Sequence, residues 1–171
     1  GSANGVADWI KGKTGFDPRS IGQYFTGDDA GGDLKRGERN NNPGNLNYVG
    51  QAGASLERPG GRFAKFETAY DGLRAMARQL MLYSQRGINT IQGIISTWAP
   101  SSENNTGAYV NAIASKLGVN PNAALNLQNP QVLSQLMDGI IRHENGRNIY
   151  PSELVNRAAG GAPVINQETN I

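Results

Sequence analysis

The sequence predicts a mainly α-helical domain with a small β-hairpin region, an α+β fold. Three observations carry that reading. Four stretches between residues 71 and 145 repeat apolar residues at helical spacing. Between Arg39 and about Phe66 that period stops and turn residues crowd together, most densely in Asn40-Asn41-Asn42-Pro43-Gly44-Asn45. The chain has 171 residues, 37% of them apolar, which suffices for one domain with a real core but not for two comfortable ones.

The elements follow in order. Short helices are expected over 5–12, around Trp9 and Ile10, and over 18–25, around Ile21 and Tyr24; Thr26 to Asp33 reads as a loop. Extended pieces around Leu46–Val49 and Phe63–Phe66 flank a Gly-rich connection and form the hairpin region. In 71–86, Leu73, Met76, Ala77 and Leu80 share a face, and in 89–98 Ile91, Ile94, Ile95 and Trp98 do so until Pro100 stops the run. The next helix has Asn105 or Thr106 as N-cap, buries Tyr109, Val110, Ile113 and Leu117, and ends at Gly118. Asn129 and Pro130 open a fourth that runs through Leu133, Leu136, Met137, Ile140 and Ile141 to Glu144-Asn145-Gly146. A short helix at 152–158 comes last. Residues 1–2 read as an expression scar, 3–160 as a single domain and 161–171 as a polar tail; the abrupt start suggests a piece of a longer protein.

Composition narrows the chemistry. Cysteine is absent and His143 is the single histidine, so thiol nucleophiles and Cys-ligated zinc are excluded. A zinc hydrolase with two or more His ligands is disfavoured, and no Gly-x-Ser-x-Gly elbow supports a serine triad. Carboxylates remain for hydrolytic chemistry, and no cofactor or metal is expected. No run of about 18 apolar residues exists, so membrane insertion is not expected. The net charge is only +2, yet Lys35, Arg36, Arg39, Arg58, Arg62 and Lys65 cluster against Asp33, Glu38 and Glu57. Such a face suits an anionic polymer such as a cell wall, or an ordinary solvated surface.

Among the carboxylates Glu144 is the most informative. It falls on the apolar stripe of its helix, three after Ile141 and four after Ile140. Burial and the negative end of the helix dipole both disfavour the charged form, as a general acid for glycoside cleavage requires. The competing reading is a structural salt bridge to Arg142, His143 or Arg147. Glu38 is the second candidate; its cationic neighbours favour the carboxylate, which suits a base or a surface ion pair. Glu103 precedes a helix and reads as structural or as a hydrogen-bonder on a cleft wall. Asp138 falls off the apolar stripe and reads as solvent-facing. Asn40, Asn42 and Asn45 can bind the N-acetyl groups and hydroxyls of a sugar chain, or simply close a turn. Trp98 and Tyr109 can stack on sugars, though both occupy apolar helical positions.

Arg36-Gly37-Glu38-Arg39-Asn40-Asn41-Asn42-Pro43-Gly44-Asn45-Leu46, then Trp98-Ala99-Pro100 with Glu103-Asn104-Asn105-Thr106, then Ile141-Arg142-His143-Glu144-Asn145-Gly146 form an ordered set. Over roughly 36–150 the chain resembles phage and prophage virion-associated lysozyme-like proteins, whose relatives also occur among toxins of the type VI secretion system. The resemblance implies cleavage of peptidoglycan glycan strands, as a lysozyme (muramidase) or lytic transglycosylase. For that activity the candidate catalytic residues in this sequence are Glu144 and Glu38, with Asn40, Asn42, Asn45, Glu103 and Tyr109 as candidate substrate-binding residues. In that family the position of Glu38 is frequently apolar, which favours Glu144. In lysozyme-like enzymes the helix ending in the catalytic Glu comes before the Asn-rich turn; here it comes last, which implies a circularly permuted lysozyme-like fold.

The expected partners are peptidoglycan glycan strands and an immunity or delivery protein. A monomer is expected, acting in the periplasm of a target bacterium or secreted or virion-associated. A non-catalytic peptidoglycan-binding or virion structural module of the same fold is the competitor. Nucleic-acid binding draws on the basic stretch and a sequence pI near 9.0. It ranks last, for want of a helix-turn-helix or an aromatic-basic platform.

Overall fold

The computed structural model describes residues 33–99 and 105–160. The helices expected at 5–12 and 18–25, most of the loop before Asp33, Glu103 and the 161–171 tail lie outside these residues. Within them the chain forms α1 (Arg36–Arg39), β1 (Ala54–Leu56), β2 (Ala64–Phe66), α2 (Ala69–Gln85) and α3 (Ile91–Trp98), then α4 (Thr106–Leu117), α5 (Pro130–Asn145) and α6 (Ser152–Ala158). This is the mainly α, α+β architecture that the periodicity predicts.

Local chemistry starts and stops the helices. Side-chain oxygens of Thr68, Thr90, Asn105 and Asn129 accept from backbone N–H groups in the first turns of α2, α3, α4 and α5. Pro130 occupies the first turn of α5, where its missing N–H does no harm. Gly118 and Gly146 end α4 and α5 in the left-handed conformation, at φ 69° and 77°. The apolar stripes meet in one core: Leu73, Met76 and Leu80 of α2, Ile91 and Ile94 of α3, Val110 and Ile113 of α4, and Leu136, Met137 and Ile140 of α5 are all buried. α5 packs on α1, α2, α4 and α6, while α3 packs on α4.

The hairpin region differs from its expected form. β2 lies where Phe63–Phe66 predicts, but its antiparallel partner is β1, in the register Ala54↔Phe66, Ser55↔Lys65 and Leu56↔Ala64. The 46–49 piece joins only through a bridge between Asn47 and Phe63. The reason is one of turns: Gly50 and Gly53 take φ of 83° and 74°, reversing the chain so that the next three residues, rather than the first extended piece, lie along β2. Ala64 and Phe66 point into the protein while Lys65 points out.

Asp138 also departs from expectation. It is not solvent-facing; its side chain is only 23% exposed and meets Lys116 at 2.7 Å, with Arg142 and Asn148 as further donors. It ties α4, α5 and the segment after α5 together. Burial opposes its charge, yet hydrogen bonds from Lys116, Asn148 and Arg142 outweigh this and hold its carboxyl below the usual range.

Candidate functional site

The Asn-rich turn is a folded object. Asn41 and Asn45 sit at φ of 50° and 52°, which Asn tolerates better than most residues. Asn42 is fully buried; its Nδ2 donates to the carbonyls of Leu46 and Ala64, both at 2.9 Å, and its Oδ1 accepts from the Leu46 N–H. Asn41 donates to the Phe66 carbonyl and Asn40 to Glu57, which fastens the turn to the hairpin. Asn40 and Asn42 are therefore buried, with their side-chain amides donating within the fold.

The turn is also fastened to the helices. Asn145 Nδ2 donates to the Pro43 carbonyl at 2.9 Å, and Trp98 Nε1 to the Gly44 carbonyl at 3.2 Å. Gly37 of α1 faces the amide oxygens of Asn145 and Asn45, where an added Cβ would lie 2.7 and 3.1 Å away. These contacts bring Asn45 to the end of α5, 99 residues away in sequence.

There Glu144 is half-buried and held by two neutral donors. Asn45 Nδ2 donates to Oε1 at 3.0 Å and Tyr109 Oη to Oε2 at 2.9 Å. Burial, then the Glu144 charge and their hydrogen bond, push the Tyr109 phenol far above its ordinary range, so it stays protonated. The Tyr109 ring is 0% exposed, which rules it out as a sugar-stacking platform. It stacks instead on His143, with ring centroids 3.7 Å apart and 22° between planes. Of the cations considered as salt-bridge partners of Glu144, Arg142 goes to Asp138 and Arg147 to Glu38. The end of α5 and the Asn-rich turn thus meet at Glu144 and Asn145.

Glu38 lies on another side of the same turn. Its side chain is 1% exposed and meets the Arg147 guanidinium through both oxygens, at 3.0 and 2.8 Å. Oε1 also accepts the Lys35 N–H at 2.9 Å, one half of a capping box for α1. This is a buried bidentate pair rather than the surface ion pair the sequence suggests. Neighbouring Tyr150 has a buried hydroxyl with no partner among the described residues; burial, then the Glu38 charge, raises its pKa. Sequence reasoning missed Asn145 as the anchor of Pro43 and Arg147 as the partner of Glu38. The one signal for either is their position, on each side of the Gly146 cap.

Among the described residues no cluster of three or more His, Asp or Glu can hold a metal ion. None of their helices is long and apolar enough to cross a membrane. Fold and site together define a helical α+β domain that presents an oriented glutamate where a helix end meets an Asn-rich turn. The chain belongs to the family of a phage protein, Protein P5 of Pseudoalteromonas phage PM2. The two are 38% identical over 129 residues, 71% of this chain and 78% of that protein. No family model matches the chain.

Proposed function

We propose that this domain cleaves the glycan strands of peptidoglycan as a lysozyme-like enzyme of permuted order, with Glu144 as general acid. The observation that carries the reading is the Glu144 carboxyl, half-buried at a helix end with both oxygens oriented by uncharged donors. Asn45 donates in either protonation state, whereas the Tyr109 hydroxyl can donate to the carboxylate or accept from the acid. The site can therefore hold the group before and after it gives up its proton. A phage relative suits this reading, because a phage genome has to pass the wall of its host.

In the proposed reaction Glu144 protonates the glycosidic oxygen between two amino sugars, and positive charge builds on the ring as an oxocarbenium-like ion. Glu38 is assigned a positioning role: its charge holds Arg147 and α1, and α1 leads into the turn that carries Asn45. The ion is then captured by water or by the sugar's own 6-hydroxyl, and the proton of the attacking oxygen passes to the carboxylate that the first step leaves on Glu144, or, for water on the opposite face, to a second carboxylate. The expected place of action is the periplasm of the target cell.

The test is mass spectrometry of fragments released from purified sacculi by the wild type, Glu144→Gln and Glu38→Gln. Reducing ends mean hydrolysis and anhydro ends mean transglycosylation. Release by the wild type and by a folded Glu38→Gln, but not by Glu144→Gln, supports the assignment. Undiminished release by Glu144→Gln overturns it, and no release by any version leaves a wall-binding module.

A further inference from the structure

A groove of about 500 Å³ runs between the 46–52 loop and the outward face of α2. Helical spacing builds one wall: Arg74, Arg78 and Leu82 recur every four residues on one face, while Leu73, Met76 and Leu80 turn to the core. The loop builds the other with Leu46 and Val49. Val49 and Leu82 are 78% and 45% exposed, large apolar side chains left at the rim. Leu46 directly follows Asn45, with their α-carbons about 3.8 Å apart. One wall of the groove is thus continuous in the chain with the turn that carries Asn45.

Its charge is cationic. Arg78 has no hydrogen-bond or ion-pair partner among the described residues. Arg74 donates to the Ala158 carbonyl at 2.6 Å, a neutral acceptor that leaves its charge uncompensated. Asp71 is the one acid in the lining, but its Oδ2 is buried against Gly53, where an added Cβ would lie 2.8 Å from it. An occupant thus meets two guanidinium groups and a partly apolar surface. The N-acetyl groups and hydroxyls of the sugars offer no charge to match, and on a peptide-bearing sugar the lactyl carboxyl is consumed in its amide bond to the stem. The stem peptides of peptidoglycan do offer charge: they are short, rich in alanine, end in carboxylates, and hang from the same strand.

We propose that this groove binds the carboxylate-bearing stem peptide of the glycan strand, with Arg78 and Arg74 meeting its carboxylates and Leu46, Val49 and Leu82 its methyl groups. The inference rests on the glycan-cleaving reading and adds to it a preference for peptide-substituted strands. It makes Arg78 a specificity residue outside the chemistry at Glu144.

The test uses the full chain carrying Glu144→Gln and calorimetry with three probes. These are a disaccharide-tetrapeptide muropeptide, the same compound with its carboxylates converted to carboxamides, and chitotetraose. Amidation is expected to weaken binding about tenfold, the scale of one charge-assisted hydrogen bond. Arg78→Gln should produce a similar loss for the native muropeptide, and the two losses should not add. Equal binding of native and amidated muropeptide overturns the proposal, as does an equal loss of chitotetraose binding in Arg78→Gln. Arg78-dependent capture of a single-stranded oligonucleotide in preference to the muropeptide also overturns it, in favour of phosphate. Digestion of sacculi by the wild type is read separately. Fragment release without charge-dependent binding removes the stem assignment and leaves glycan cleavage standing. Charge-dependent binding without release does the reverse.

Discussion

Gly72→Ala is the sharpest probe of how this domain is assembled. Gly72 lies inside α2, where alanine ordinarily favours the helix by up to about 1 kcal/mol. Here a Cβ would lie 1.7 Å from the Asn41 carbonyl oxygen and 3.2 Å from Pro43 Cδ. The obstacle is backbone and cannot rotate away, so α2 and the Asn-rich turn must part by roughly 1.5 Å to restore van der Waals contact. Overpacking of this kind costs about 3 kcal/mol, at the upper end of its usual range because nothing flexible can yield. The net effect is a destabilisation of roughly 2 kcal/mol, a fall in Tm of about 4–8 °C for a domain of this size. Gly139→Ala is the matched control. It sits inside α5, where a Cβ would meet Ile113 and Lys116 side-chain carbons at 3.4–3.6 Å, ordinary contact. Helix propensity is then unopposed and stability should rise by about 0.5–1 kcal/mol. Urea unfolding followed by circular dichroism, with Tm alongside, reads both variants. A Gly72→Ala protein as stable as the wild type would refute the docking of the turn on α2, and with it the placement of Asn45 at Glu144.

Three further outcomes are expected. Arg147→Ala strands the buried Glu38 carboxylate; a fully buried pair would lose about 3–5 kcal/mol. The 41% exposure of the Arg147 side chain reduces this to about 2–3 kcal/mol in urea unfolding, and a loss under about 0.5 would refute the buried-pair description. Tyr109→Phe removes the donor to Glu144 Oε2 and should slow fragment release from sacculi about tenfold, the scale of one hydrogen bond to a charged group. An unchanged rate would deny the hydroxyl any part in holding Glu144. Because Asp138 has a folded pKa below its ordinary 3.8, its stabilising effect is complete above that value and is lost as pH falls through the lower one. Asp138→Asn should therefore flatten the acid limb of stability measured between about pH 5 and pH 2, and an unchanged limb would show that other groups set it.

The helices were legible because their signals are local. Thr68, Thr90, Asn105 and Asn129 hold the oxygens that satisfy free N–H groups within three residues. Glu144 stood out because a charged residue on the Ile140–Ile141 stripe of a helix that ends at Gly146 breaks the pattern around it. The hairpin was read only in part, since a three-residue strand leaves almost no alternation, and two glycines at positive φ select which segment pairs with β2.

Cap residues and apolar periods were enough to define the four helices between 69 and 145 and the α+β class, because each depends on neighbours within a few residues. Tertiary structure assigned the carboxylates their surroundings. Two glutamates beside glycine or basic residues look alike in sequence, yet Glu38 meets Arg147 from 109 positions away and Glu144 meets Asn45 from 99. The same holds for the asparagines: Asn42 turns inward to three backbone groups and Asn45 outward to Glu144. A polar group's role depends on what satisfies its hydrogen bonds once water is removed, and only packing between distant elements supplies those partners.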